Sequence, residues 1–145
     1  MNRPLRVLLV EDSESDAVLV VRVLSKAGYT VHSERVEEER EMRTALANQS
    51  WDVIIADYRL PKFDAPKALA ALHKTGLDIP FIVVSGAIGE DVVVDMMRSG
   101  AQDYMMKGNL TRLGPAVQRE IREAKMRHKR KIACLLYTSP SPRDS

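Results

Sequence analysis

Hydrophobic residues along the chain form short continuous runs that alternate with longer segments of helical spacing. The runs LRVLLV, VIIA and FIVV are typical of strands that are buried on both faces. Between the runs, apolar positions recur three or four residues apart, as in amphipathic helices. We predict five successive strand–helix units. The predicted strands span 5–10, 30–36, 53–56, 81–84 and 103–106, and the predicted helices span 14–27, 37–48, 65–74, 90–98 and 110 onward.

Alternation of this kind indicates an α/β fold in which helices cover both faces of a parallel sheet. Because crossovers between parallel strands are right-handed, the natural closure is an open, doubly wound sheet of five strands. The chain has 145 residues, of which 45% are apolar and 29% are charged, so it suits one domain with a single packed core.

The same composition bears on where the protein acts. No apolar run approaches the roughly 18 residues of a membrane span. The single cysteine, Cys134, cannot form an internal disulfide, which favours a reducing compartment. We therefore expect a cytoplasmic protein that has no membrane partner.

The carboxyl-terminal part of the chain differs from the rest in charge. Residues 1–118 hold 14 Lys/Arg and 17 Asp/Glu, a net charge of −3, whereas residues 119–145 hold 8 and 3, a net charge of +5. We divide the chain into a domain over 1–124, a basic helical extension over 125–132 and a tail over 133–145. The extension has no interleaved aromatic residues, so we interpret it as a solvated helix face and do not expect nucleic-acid binding.

The tail ends in CLLYTSPSPRDS, which has no helical periodicity and is rich in serine and proline. We expect this segment to be disordered. It resembles an appended, adapter-derived peptide, and we interpret it as non-native. On this interpretation, the natural chain continues beyond about Ile132 into an output domain that is absent here.

Polar and charged side chains follow four of the predicted strands. Glu11 and Asp12 follow the first strand, Asp57 the third, Ser85 the fourth and Lys107 the fifth. In open parallel sheets, ligands bind at the carboxyl ends of the strands, so these side chains are expected to meet at one edge. Converging carboxylates repel each other, and a divalent cation relieves that repulsion. Because the candidate ligands are all oxygen atoms, Mg²⁺ fits the site better than zinc.

These groups suit a phosphoryl group as the second ligand of the site. Asp57 is the best candidate for a nucleophile, because a carboxylate can form an acyl phosphate. Lys107 would offset negative charge on the phosphoryl oxygens, and Ser85 would donate a hydrogen bond to one of them.

Four motifs carry a resemblance to a known family: VEDSESD (10–16), DYRLPKFDA (57–65), VVSGAIGED (83–91) and GAQDYMMKG (100–108). Together and in this spacing they resemble the receiver (response-regulator) domain of two-component signalling. The resemblance covers residues 5 to about 124. It implies a flavodoxin-like fold with strand order 2-1-3-4-5.

The resemblance also implies a role for each matching residue. Asp57 would be the phosphoacceptor, and Lys107 would pair with the phosphoryl group. Ser85 would be the switch hydroxyl and Tyr104 the aromatic switch residue. The Mg²⁺ ligands would be Glu11, Asp12, Asp57 and the backbone carbonyl of Arg59.

By the same resemblance, a histidine kinase or a phosphotransfer protein would donate the phosphoryl group. Phosphorylation would reshape the face formed by the fourth helix, the fifth strand and the last helix, and that face would control a downstream domain or a dimer partner. The domain would not be an enzyme beyond self-catalysed phosphotransfer and autodephosphorylation.

The sequence departs from the family pattern at a few positions, none of which removes a chemical group. Gly108 stands where proline is usual, Gly86 where alanine is common, and Ala65 where glycine is usual. Two alternatives remain. One is a degenerate receiver that only mediates protein binding. The other is an aspartyl-nucleophile phosphatase, although that class needs a second carboxylate where Arg59 stands.

Overall fold

A computed structural model describes residues 3–58, 63–86 and 90–138 of the chain. Strands and helices alternate along it. The strands are β1 (Arg3–Val10), β2 (Tyr29–Val36), β3 (Val53–Ala56), β4 (Phe81–Ser85) and β5 (Asp103–Met106). The helices are α1 (Glu14–Lys26), α2 (Glu39–Asn48), α3 (Ala65–Thr75), α4 (Glu90–Ser99) and α5 (Leu113–Thr138).

The strands form one parallel sheet in the order β2-β1-β3-β4-β5, which confirms the predicted α/β fold and its topology. β1 and β3 lie in the middle of the sheet and pair in register, with Val10 opposite Ala56. Strand order reverses between β1 and β3, and this reversal opens a crevice at their carboxyl ends.

Side chains that alternate along each strand point to opposite faces and build two apolar layers. Leu8 and Val10 of β1 pack on the face covered by α2, α3 and α4, where Met42 is fully buried. Leu9 of β1 packs on the other face, where Leu113 of α5 is fully buried together with residues of α1. The strands of a doubly wound sheet must be apolar on both faces, which explains their continuous apolar runs.

Local signals explain where several helices begin and end. The Ser13 hydroxyl accepts a hydrogen bond from the Asp16 backbone N–H and caps the start of α1. Asp64 caps α3 in the same way, with Pro66 in the first turn. Gly76 ends α3 in the left-handed conformation (φ 75°), which favours glycine because it has no Cβ atom.

The last helix extends further than the sequence predicted. α5 runs to Thr138, so residues 133–138 are helical in the structure and not disordered, whereas residues 139–145 lie outside the described residues. No glycine or proline stands between Ile132 and Pro140, so a helix that starts on the domain can propagate through this segment. Across the described ranges, no helix combines the length and the apolar character that a bilayer crossing requires.

One ion pair ties the extension to the body of the domain. Arg127 of α5 donates two hydrogen bonds of 2.9 Å to the carboxylate of Asp78, which lies in the loop before β4. The guanidinium holds the pKa of Asp78 below its ordinary value. The pair therefore fixes the direction in which α5 leaves the domain, at the edge of the sheet where the strands begin.

We expect Arg127→Gln to loosen the extension without unfolding the domain. Both side chains are partly exposed, so the pair contributes at most about 1 kcal/mol to stability, and the melting temperature should change little. Hydrogen exchange of amides 125–131 should become faster, while the amides of 113–121 stay protected. Lys129→Gln, which removes an exposed charge of the same helix, is the control. Equal exchange in the two variants would show that the ion pair does not hold the helix.

Candidate active site at the carboxyl edge of the sheet

The site begins where the central strands end. Glu11 follows β1, Asp57 follows β3 and Lys107 follows β5. Backbone hydrogen bonds hold each of these residues to a neighbouring strand: Asp57 N–H donates to Val10 at 2.9 Å, and Lys107 N–H donates to Ser85 at 2.8 Å. The sheet thus continues for one residue beyond its strands, and it brings three charged side chains to one edge.

The ammonium of Lys107 lies among three carboxylates. Its Nζ atom is 2.6 Å from Asp57 Oδ2, 2.6 Å from Asp16 Oδ2 and 3.2 Å from Glu11 Oε1. Glu11 and Asp57 are buried, and Asp16 is partly buried. Buried carboxylates need a counter-charge, which Lys107 supplies.

Burial and charge shift two pKa values in the site. Burial raises the pKa of Glu11 to about 7, and the nearby negative charge of Asp57 adds to the increase. The hydrogen bond from the Ser13 backbone and the charge of Lys107 act in the opposite direction but do not cancel it. Burial alone would lower the pKa of Lys107, but hydrogen bonds to Asp16 and Asp57 and the charge of Glu11 raise it. Lys107 therefore stays charged, and the Glu11 carboxyl group resists ionisation.

The carboxylates fit a hard divalent cation. Glu11, Asp16 and Asp57 each offer an oxygen atom, and these atoms lie within 4.8 Å of one another. Oxygen donors with several negative charges are the ligands that Mg²⁺ takes in proteins.

The four predicted Mg²⁺ ligands differ in their positions in the structure. Glu11 and Asp57 belong to the carboxylate group, whereas Asp12 is exposed and its side chain is not a member. Asp12 lies beside the group in the chain, and its backbone carbonyl accepts a hydrogen bond from Arg35 at 3.3 Å. Arg59 lies outside the described residues. The metal roles of all four residues remain predictions, although Glu11 and Asp57 have oxygen atoms placed close enough together to share an ion.

Sequence reasoning did not identify Asp16 as a site residue. Asp16 is the third residue of α1, and the cap on Ser13 places that first turn beside the edge of the sheet. The sequence did contain a signal: an N-cap serine followed three residues later by an acid, directly after a strand that ends in acids. That pattern places Asp16 in the first turn, but it does not show which way the side chain points.

The two predicted switch residues lie on β4 and β5, which pair with each other in the sheet. Ser85 ends β4, is almost fully buried, and lies opposite Met106 of β5 in the sheet register. Tyr104 of β5 is partly buried against the layer under α2, α3 and α4, and its hydroxyl donates a hydrogen bond to Met106 Sδ at 2.8 Å. Every peptide bond of the described residues is trans, including the bond between Lys107 and Gly108.

Comparison with known proteins identifies the class that this fold and site define. The model of the response regulator receiver domain matches residues 7–127, most of the chain. The chain therefore belongs to the response regulator receiver domain family of two-component signalling, which confirms the resemblance seen in the sequence. Domains of this family are regulatory phosphoacceptors and not classical enzymes.

Two curated relatives illustrate how the domain is used. The response regulator MprA of Mycolicibacterium vanbaalenii is 30% identical over 104 residues, which are 72% of this chain and 44% of the relative. The sensor kinase CckA of Brucella abortus is 41% identical over 81 residues, which are 55% of this chain and 8% of the relative. The chain thus matches less than half the length of either protein.

Solved structures share the fold. A signal receiver domain from Vibrio parahaemolyticus is 27% identical, with a TM-score of 0.75, over 86% of this chain and 95% of that one. The receiver domain of sensor histidine kinase PA1611 from Pseudomonas aeruginosa PAO1 is 24% identical, with a TM-score of 0.68, over 81% of this chain and 98% of that one. The latter has a magnesium ion coordinated in its active site cleft.

We expect Glu11→Gln to stabilise the domain when divalent cations are removed with EDTA. Because the pKa of Glu11 rises from 4.5 to about 7 on folding, the folded state binds this proton more tightly than the unfolded state does. The free energy of unfolding therefore falls as pH rises from about 4.5 to 7. Urea denaturation at pH 8 should show a gain of about 1–3 kcal/mol in the variant, and the gain should shrink toward pH 5.

Glu14→Gln is the matched control, because Glu14 is an exposed acid three residues further along the chain, in the first turn of α1. It should change the free energy of unfolding by no more than about 0.5 kcal/mol. A Glu11→Gln variant that is no more stable than the wild type at pH 8 would contradict the free-energy cost that we assign to the buried, ionised Glu11 carboxylate.

Proposed function

We propose that the chain is a phosphorylation-controlled switch in which Asp57 accepts a phosphoryl group from a histidine kinase or a phosphotransfer protein. One observation carries this proposal: a buried aspartate lies 2.6 Å from a lysine ammonium at the carboxyl edge of the central strands. In that geometry the carboxylate can act as a nucleophile, and the ammonium beside it can stabilise the negative charge on the oxygens of the incoming phosphoryl group. Family membership supports it independently.

The reaction is a direct transfer between two residues. A carboxylate oxygen of Asp57 attacks phosphorus, the P–O bond of the acyl phosphate forms, and the P–N bond to the donor imidazole breaks. The imidazole leaves with its electron pair and takes up a proton. Lys107 loses part of its contact with the Asp57 carboxylate and donates instead to a phosphoryl oxygen, so its positive charge stays beside the negative charge that moves.

We propose Glu11, Asp12, Asp57 and the Arg59 carbonyl as the residues that hold Mg²⁺ for this reaction. Bound there, the ion would offset the combined negative charge of the carboxylates and the phosphoryl oxygens. The fit of the oxygen donor set supports this assignment for Glu11 and Asp57. The cation would also favour the ionised form of Glu11, whose burial otherwise raises its pKa to about 7.

We propose that Ser85 and Tyr104 move when Asp57 is phosphorylated and so change the surface of the domain. A hydroxyl at the end of β4 can donate to a phosphoryl oxygen, and a move of Ser85 would make room for the Tyr104 ring. The Tyr104 hydroxyl has one hydrogen bond to give up, to Met106 Sδ. Because only a few kcal/mol separate such conformations, a local change of charge is enough to shift their populations.

The surface that would change is formed by α4, β5 and α5. It exposes three large apolar side chains, Val94, Met97 and Met106, which suits contact with another protein surface. A downstream domain or a second copy of the chain is the proposed partner, and α5 would transmit the change to a domain beyond it. The cytoplasm is the proposed location, since a kinase and an output domain would meet the receiver there.

Labelling with acetyl phosphate and Mg²⁺ tests the proposed function directly. The wild-type chain should gain one phosphoryl group in its intact mass, and the group should be lost in base, as an acyl phosphate is. Asp57→Asn should not be labelled, because an amide is not a nucleophile for phosphorus. An unlabelled wild-type chain, or a fully labelled Asp57→Asn variant, would overturn the proposal and favour a degenerate receiver that only binds.

A second prediction concerns the predicted metal ligand that is exposed in the structure. We expect Asp12→Asn to weaken Mg²⁺ binding by roughly tenfold or more, because one carboxylate ligand is lost. Calorimetric titration measures the change, and Glu14→Gln on the same edge controls for loss of charge alone. Equal affinity in Asp12→Asn and in the control would remove Asp12 from the metal site.

A further inference from the structure

Asp16 makes one of the two shortest contacts of the site lysine, although no motif assigned it a role. Its Oδ2 atom is 2.6 Å from Lys107 Nζ, the same distance as that of Asp57. The two residues are 91 positions apart in the chain, so only the tertiary fold brings them together. Asp16 and Asp57 thus contact the same ammonium at the same distance.

The backbone around Asp16 is well held. The Asp16 N–H donates to Ser13 Oγ at 3.2 Å, and the Ser13 N–H donates to Glu11 Oε2 at 3.2 Å. The first turn of α1 is therefore connected to the carboxylate that follows β1. A side chain on this turn presents a charge at a fixed place, which a loop residue would not do.

Lys107 is held at both ends by these contacts. Its backbone N–H donates to the Ser85 carbonyl at 2.8 Å, and its ammonium has three donors facing three carboxylates. A lysine side chain loses rotamer entropy when it is fixed, so its position depends on how many carboxylates hold its ammonium. Asp16 is the anchor that lies on a helix and not at the end of a strand.

We infer that Asp16 is a positioning residue for phosphoryl transfer, which acts by holding the Lys107 ammonium over the Asp57 carboxylate. The inference rests on the proposed function. Transfer turns the Asp57 carboxylate into an acyl phosphate and so removes one anchor of Lys107, whereas the Asp16 carboxylate is unchanged by the reaction. Lys107 therefore keeps one fixed partner while its other contact passes from Asp57 to the phosphoryl oxygens.

A double-mutant cycle with acetyl phosphate tests this inference. We compare the rate constants of phosphorylation in the full chain, with the Mg²⁺ concentration raised to saturation for each variant. Asp16→Asn should slow the reaction roughly tenfold in the presence of Lys107, because a lysine with one fewer anchor is less often in place. In a Lys107→Ala background, the same substitution should change the rate by less than about twofold.

Two further variants separate positioning from other effects. Asp16→Glu keeps the carboxylate within reach of the ammonium and should recover a rate within about threefold of the wild type. Glu14→Gln removes an acid from the same helical turn, outside the site, and should react at the wild-type rate. Rescue by glutamate and an unaffected control would support an action through Lys107, and thermal unfolding of each variant verifies that it is folded.

Several results would overturn the inference while leaving the proposed function intact. One is a reaction of Asp16→Asn at the wild-type rate. Another is an equal slowing by Asp16→Asn with and without Lys107, which would mean that Asp16 acts on the metal or on Asp57 directly. Failure of Asp16→Glu to recover any rate would also count against it. An unlabelled wild-type chain is a different result, because it overturns the proposed function itself.

Discussion

The ammonium of Lys107 is the counter-charge on which the carboxyl edge of this sheet depends. Three carboxylates, delivered by the ends of β1 and β3 and by the first turn of α1, surround one cation. Buried carboxylates without such a partner would be strongly unfavourable. Three carboxylates carry more negative charge than one ammonium offsets, and burial raises the pKa of Glu11 to about 7. The remaining excess is what makes the edge suitable for a divalent cation.

This excess negative charge is unfavourable for the stability of the fold, because the strands that lead to it are packed between two apolar layers. Glu11 and Asp57 follow strands that end in buried residues on both faces, and Ser85 is the last residue of another such strand. A sequence selected for stability alone would not place acids at the ends of its most apolar strands. Functional sites often retain groups that destabilise the fold, because the same groups bind a ligand or a transition state. The chain belongs to the receiver domain family, and under the proposed function that ligand is a phosphoryl group with its metal.

The edge of the sheet where the strands begin carries the ion pair that holds the extension of α5. Asp78 precedes β4, and its ion pair with Arg127 directs the basic part of α5 along the body of the domain. Asp57 and this ion pair therefore lie at opposite ends of the sheet, with the two apolar layers between them. A change at Asp57 that shifts β5 or α5 would reach the extension through packed elements, because packed cores move as units and are not freely deformable.

Much of the fold and part of the site follow from the sequence alone. Apolar runs, helical spacing and capping residues are local signals, so they predicted five strand–helix units and the carboxyl-edge positions of Glu11, Asp57 and Lys107. The contact between Lys107 and Asp16 was not predictable, because the direction of the Asp16 side chain depends on how α1 packs in the fold, 91 residues away along the chain. The end of α5 at Thr138 was also missed, because weak amphipathic periodicity does not stop a helix that already has a folded domain at its start. Local patterns thus determined which groups reach the edge, and tertiary packing decided which of them touch.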